Sequence, residues 1–176
     1  MSFETDKVTR FILDGANVRG ALVKLNDTWK NIAERADYPP AIAQYLAQCS
    51  VASALFASSI KMDGRLSIHL RGAGYIRTLF AECTTQGTLR GIAHFNAPVP
   101  EKIDIKDFGS EAILAITIEN QGIVGREPQR YQGLVGLEEE SLSHAFEKYF
   151  EQSEQLPTRL FLFNNQEEAA GILIQQ

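Results

Sequence analysis

The stretch PPAIAQYLAQCSVASALFASSI, residues 39–60, decides the fold. Pro39 or Pro40 suits the first turn of a helix, where a missing N–H costs nothing. Ile42, Tyr45, Leu46 and Cys49 follow at helical spacing, so the first half of that helix is amphipathic. The second half, VASALFASSI, is small or apolar nearly all round. A helix with no face to offer water is enclosed by its neighbours, and the rest of the chain supplies mostly strands to do so. Gln44, Gln48, Ser50, Ser53, Ser58 and Ser59 interrupt the run, which makes it a buried helix rather than a membrane span.

Upstream, strands are expected at Val8 to Leu13 and Val18 to Leu25, joined across DGAN, whose residues suit a tight turn. NDTWKNIAERA then offers Asn26 or Asp27 as a helix N-cap, with Trp29, Ile32, Ala33 and Ala36 at helical spacing. Downstream, RLSIHLR, YIRTLFAEC and TLRGIAHF form a meander separated by GAG and TTQG. Residues 96–109 are a proline-containing connection with one helical turn, and EAILAITIE and RYQGLVGL flank a polar hairpin loop at NQGIVGREPQ. EEESLSHAFEKYFEQS reads as a helix with acidic residues at its positive end and Leu142, Phe146, Tyr149 and Phe150 on its inner face. TRLFLF and AAGILI close the chain as a last hairpin across NNQEE. The expected fold class is α+β: mostly antiparallel sheets of hairpins and a meander, packed with about three to four helices in a single domain over residues 1–176.

One strand raises a functional question. In TRLFLF, Leu160 and Leu162 point one way and Phe161 and Phe163 the other, so both faces are apolar. ILAITI and GILI share the feature, whereas a sheet with one wet face alternates apolar and polar residues. Such a sheet is either covered on both sides within the chain, or one face waits for a partner subunit, another segment or an unfolded client.

Composition narrows the alternatives. With 44% hydrophobic and 22% charged residues the chain is globular, and its formal charge of -5 with scattered basic residues argues against nucleic acid as a partner. MSFETDKVTR carries acidic residues and no apolar core, so it is not read as a secretory signal, and a cytoplasmic protein with no membrane partner is expected. The two cysteines, Cys49 and Cys83, form no C-x-x-C pair and read as small buried apolar groups rather than metal ligands or reactive thiols. His69, His94 and His144 match no metal-binding spacing. RGAG at residues 71–74 lacks the glycine that a phosphate-cradling G-x-G-x-x-G would need, since position 77 is Arg77. No serine lies in a G-x-S-x-G elbow, and Glu138, Glu139 and Glu140 are explained by a helix dipole. No enzyme, no catalytic residue and no metal or cofactor is expected; an active site around His69, His94, Arg71 and Arg90 is the weakest reading.

RYQGLVGLEEESLSHAFEKYFEQSEQLPTRLFLF, residues 130–163, resembles the corresponding block of the bacterial redox-regulated holdases, the thirty-three-kilodalton chaperonins of the heat-shock response. SEQLPTRLFL is specific to that family, and the likeness extends upstream through NVRGALVKL, DYPPAIAQYLAQCSVASALFASSIKMDGRLSIHLRGAG and LRGIAHFNAPVP. The resemblance implies the N-terminal substrate-binding and dimerisation domain of a cytosolic, ATP-independent chaperone acting under oxidative and heat stress. In that family a linker covers an apolar surface, and a C-terminal module of four zinc-bound cysteines senses oxidant. The C-x-C and C-x-x-C pairs of that module are absent from these residues, so no zinc ligand is assigned to this chain and redox sensing is expected to reside elsewhere.

The candidate client-contact residues are therefore apolar: Tyr75, Phe80, Ile92 and Phe95 from the meander, with Phe161 and Phe163 from the last hairpin. Unfolded or partly folded proteins are the expected partners, together with a second copy of the chain in a homodimer. The alternative is a homo-oligomeric assembly module that uses its apolar face only for self-association.

Overall fold

In the computed structural model, which describes residues 6–61, 63–122 and 124–176, the chain folds as two antiparallel sheets around one central helix. The first five residues, on which the reading of the N-terminus partly rests, lie outside the described residues, as do Met62 in the KMDGRL turn and Ile123 in the expected hairpin loop.

β1 (Lys7–Leu13) and β2 (Val18–Leu25) pair from Lys7 opposite Lys24 to Leu13 opposite Val18. The turn between them uses Gly15 at φ 80° and Asn17 at φ 51°, left-handed values that suit glycine and asparagine. β8 (Thr158–Asn164) and β9 (Ala169–Gln175) complete the first sheet, in the order β1-β2-β9-β8. The second sheet has the order β5-β4-β3-β6-β7, built from β3 (Gly64–Arg71), β4 (Ile76–Thr84), β5 (Leu89–Phe95), β6 (Ile113–Asn120) and β7 (Gln129–Gly136). The expected hairpins and meander are thus present, divided between two sheets.

α2 (Pro40–Ala57) lies between them, with Pro40 in its first turn. Every residue from Cys49 to Ala57 is buried. Val23, Ala169, Leu160 and Leu173 come to it from the first sheet, and Leu66, Ile68, Leu79 and Leu114 belong to the same core from the second. The two buried serines do not break the helix, because Ser50 Oγ donates to the Leu46 carbonyl at 2.7 Å and Ser53 Oγ to the Ser50 carbonyl at 2.8 Å.

Two helices close the sides. α1 (Asp27–Ala33) buries Trp29 and Ile32. Asn26 occupies the N-cap position but makes no side-chain cap; the carboxylate of Asp6 accepts instead from the Asn26 N–H at 2.8 Å, the Thr28 N–H at 3.1 Å and the Thr28 hydroxyl at 2.6 Å. α3 (Leu142–Tyr149) starts later than its acidic run suggests. Ser141 is its N-cap, accepting from the His144 N–H at 3.2 Å, and the first turn carries no acidic residue. Of the preceding glutamates, Glu139 pairs with Lys148 at 2.9 Å rather than meeting the helix dipole. α3 bridges the edges of both sheets: Phe146 packs on Phe56 of α2, Tyr149 fills the space left by Gly133 of β7, and Glu147 accepts the Leu160 N–H of β8 at 3.0 Å. A π-type turn, Phe150–Glu154, then carries the chain to the last hairpin.

Candidate functional site

Strand alternation and register generate two outward faces of different chemistry. On the first sheet the inner face carries Ala21, Val23, Leu25, Leu160 and Leu173, all buried. The outer face is built in rows. Phe161, Ile172, Leu22 and Thr9 lie side by side; Arg159, Ile174, Gly20 and Phe11 form the next row, and Phe163, Ala170, Lys24 and Lys7 the row on the other side. Phe161 is 47% exposed, Phe163 58% and Leu22 41%, while Ile172, Ile174 and Phe11 are half-buried among them. Gly20 has a local reason: a Cβ there would stand 2.4 Å from the Phe11 ring, so the glycine lets that ring lie flat on the sheet. Arg159, Lys7 and Lys24 give this apolar face a cationic rim, with Lys24 paired to Glu168 at 3.3 Å.

The outer face of the second sheet is polar along one line and apolar along the next. Arg90, Glu82, Arg65, Glu119 and Arg130 alternate in sign across five strands, with N–O distances of 3.0, 4.0, 2.5 and 3.6 Å. Beside them Ile92, Phe80, His69, Ala115 and Leu134 form an apolar row. Ile92 is 47% and Leu134 61% exposed, and Phe80 is held between the His69 ring and the Arg90 guanidinium, 5.5 Å above its centroid.

The six residues singled out from sequence therefore fall in three places. Phe161 and Phe163 share the outer face of the first sheet, and Phe80 and Ile92 share the outer face of the second. Tyr75 and Phe95 are half-buried and pack against the core, Phe95 with its ring 6.3 Å from that of Tyr38. Sequence reasoning left out Phe11, Leu22, Ile172 and Ile174, which complete the larger patch. The doubly apolar pattern of AAGILI was the available signal for the two isoleucines; Phe11 and Leu22 join them only through strand pairing.

Polar chemistry does not converge in the same way. His69 has its pKa lowered by burial and by Arg71, and it packs edge-on against Phe80. A cleft of about 550 Å³ beside α1 includes Arg90 and Arg35 but neither His69, His94 nor Arg71. Cys49 and Cys83 are both buried; burial pushes the Cys49 thiol up to about 12, and burial with the Glu82 charge pushes Cys83 up to about 11. Thiols held neutral in the core do not fit the zinc thiolates that the resemblance associates with the wider family. Among the described residues, no three His, Cys, Asp or Glu side chains are placed to hold a metal ion, and no helix is long and apolar enough to cross a membrane.

Comparison with known proteins places this geometry. A 33 kDa chaperonin of Hahella chejuensis is 40% identical over 174 residues, covering 98% of this chain and 59% of that protein. The 33 kDa chaperonin of Edwardsiella ictaluri is 36% identical, with 97% and 58% covered. The chain thus spans rather less than two thirds of the curated relatives it matches. The crystal structure of the Thermotoga maritima 33 kDa chaperonin superimposes with a TM-score of 0.75 at 19% identity, over 96% of this chain and 60% of that one, which shows a shared fold. The family described as Hsp33 protein matches residues 6–176, and with identities of this size over nearly all of its length the chain belongs to the Hsp33 family.

Proposed function

We propose that this chain is the client-binding part of an ATP-independent holdase, which captures partly unfolded proteins on the outer face of the β1-β2-β9-β8 sheet and keeps them from aggregating. The observation that carries the proposal is the contiguous outer patch of Phe161, Phe163, Ile172, Ile174, Leu22 and Phe11, with both late phenylalanines about half in water. An open sheet face normally carries polar residues at alternate positions; a broad apolar one offers non-directional burial to any exposed apolar segment. The rim of Arg159, Lys7 and Lys24 leaves the centre of the patch free of charge.

The mechanism is capture without chemistry. A client gains about 25 cal/mol for each Å² of apolar surface removed from water, with no requirement for a particular sequence, and its release depends on that surface being covered again. In this reading residues 1–176 act as a single substrate-binding and dimerisation domain in the cytoplasm, without cofactor, catalytic residue, nucleic acid or membrane. Redox control and its zinc are not assigned to residues 1–176 in this reading. The names of the relatives and the chaperone character of the family support it.

The second reading, self-association alone, draws on the row Ile92, Phe80, His69, Ala115 and Leu134, a separate apolar strip bounded by alternating charges. Light scattering of a heat-denaturing client, with and without this chain and before and after peroxide, tests the first reading. Equal suppression in both redox states, lost in a Phe161→Ser/Phe163→Ser variant, is expected. A chain that forms one stable oligomer and never suppresses aggregation would leave assembly as its role.

A further inference from the structure

The inner face of the first sheet is not covered along its whole length. α2 ends at Ala57, and Ser58, Ser59 and Lys61 beyond it face residues of β1, β2 and β9 across open space. A cleft of about 460 Å³ lies between the end of the sheet and the segment after the helix; Phe11 and Gly20 of the outer face also line it, whereas Phe161 and Phe163 do not. That volume lies within the range of about 300–1,000 Å³ typical of small-molecule sites. Its apolar lining is Phe11, Ile12, Ala21 and Leu173; Ala21 and Leu173 are almost fully buried, so Phe11 and Ile12, the latter 75% exposed although it points to the same side as the core, offer most of the accessible apolar surface. Its cations are Arg10, Arg19 and Lys61, and among the described residues no acidic side chain lines it.

From these features we propose that the cleft binds an anionic amphiphile, a single alkyl chain ending in a carboxylate, with the chain against Phe11 and Ile12 and the carboxylate among Arg10, Arg19 and Lys61. Charge complementarity selects the occupant. The whole chain carries a formal charge of -5, so a cluster of three cations with no carboxylate among the described lining residues is a local feature set against the average. Arg19 and Lys61 enter no ion pair among the described residues. The carboxyl end of α2 also faces this region and by itself would repel an anion, but Arg10 already donates to the Ser58 carbonyl at 3.4 Å, and the Ser59 and Ile60 N–H groups take up the Phe56 and Ala57 carbonyls. The free cations therefore outweigh the helix end. Arg19 presents a planar guanidinium suited to a carboxylate, and the apolar floor adds the burial of the chain.

Decanoate is the probe, compared with decyltrimethylammonium by titration calorimetry on the intact chain at low salt. Decanoate is expected to bind and the cationic analogue not to, against the direction that net charge alone would favour. Arg19→Ala/Lys61→Ala is expected to weaken decanoate at least about tenfold, and Ile12→Asp by a similar factor; both alter exposed side chains, so if one variant fails to fold the other decides. Phe161→Ser/Phe163→Ser is expected to leave decanoate binding unchanged, since neither ring lines the cleft although Phe11 does. Equal binding of the two amphiphiles, undiminished binding to a folded cleft variant, or loss of binding in the phenylalanine variant would overturn the proposal.

Discussion

Phe161 stands opposite Ile172 across the β8–β9 ladder on the side turned away from α2, while the next pair, Leu160 and Leu173, is buried against the helix. One hairpin thus supplies both core and surface with the same class of side chain. Because roughly half of each ring is already in water, Phe161→Ser and Phe163→Ser should each cost about 1 kcal/mol of stability. The double variant should nevertheless lose most of its aggregation suppression and its binding of a hydrophobic dye. Thermal denaturation alongside light scattering checks both; a large fall in melting temperature with suppression intact would show that the rings serve packing alone.

Gly171 of β9 lies directly against α2. A Cβ there would stand 2.5 Å from Val51 Cγ1 and 3.0 Å from both Leu55 Cδ1 and the Phe161 carbonyl. Gly171→Ala should push helix and sheet apart and cost about 1–3 kcal/mol. The expected result is a lower urea midpoint with an unchanged slope.

Asp6 caps a helix twenty residues further along the chain, accepting from the Asn26 N–H, the Thr28 N–H and the Thr28 hydroxyl. Asp6→Ala should cost about 1 kcal/mol, as loss of an N-cap does, and Asp6→Asn should retain part of it. Amide exchange would register the change first in α1.

The buried thiols predict both reactivity and pH dependence. With Cys49 held at about 12 and Cys83 at about 11, neither should react with an aromatic disulfide reagent in the native protein, and both should react after denaturation. The unfolded chain releases these protons near the ordinary value of 9.0, below the folded values. The stability gained from keeping the thiols neutral is therefore complete below that pH and is lost as pH rises toward the folded values. Each thiol contributes a slope of up to about 1.4 kcal/mol per pH unit in that window. Tyr45, pushed up to about 12 by burial and by Asp104 and Asp107, acts in the same sense. Urea midpoints measured across the alkaline range should fall, and fall less in a Cys49→Ala/Cys83→Ala variant.

Much of the architecture was legible before any coordinate. β2 runs from Val18 to Leu25 as its pattern indicates, Pro40 opens the central helix, and the meander and both terminal hairpins are present. These are local matters of turn chemistry and periodicity. The start of α3 was misread because a run of glutamates resembles a first helical turn, while the cap was supplied by Ser141. Capping by Asp6 had no local signal, since its partners lie about twenty residues away.

By itself the sequence determined the class of fold, the need to enclose the helix at residues 39–60, and the doubly apolar character of TRLFLF. Family membership was legible there as well. Which face of each strand turns outward was decided by the tertiary structure alone, because alternation makes the two faces of an apolar strand equivalent until a helix covers one of them. Only strand pairing set Phe11 and Leu22 in one patch with Phe161 and left Ile12, on the core side of β1, exposed beside the segment that follows α2.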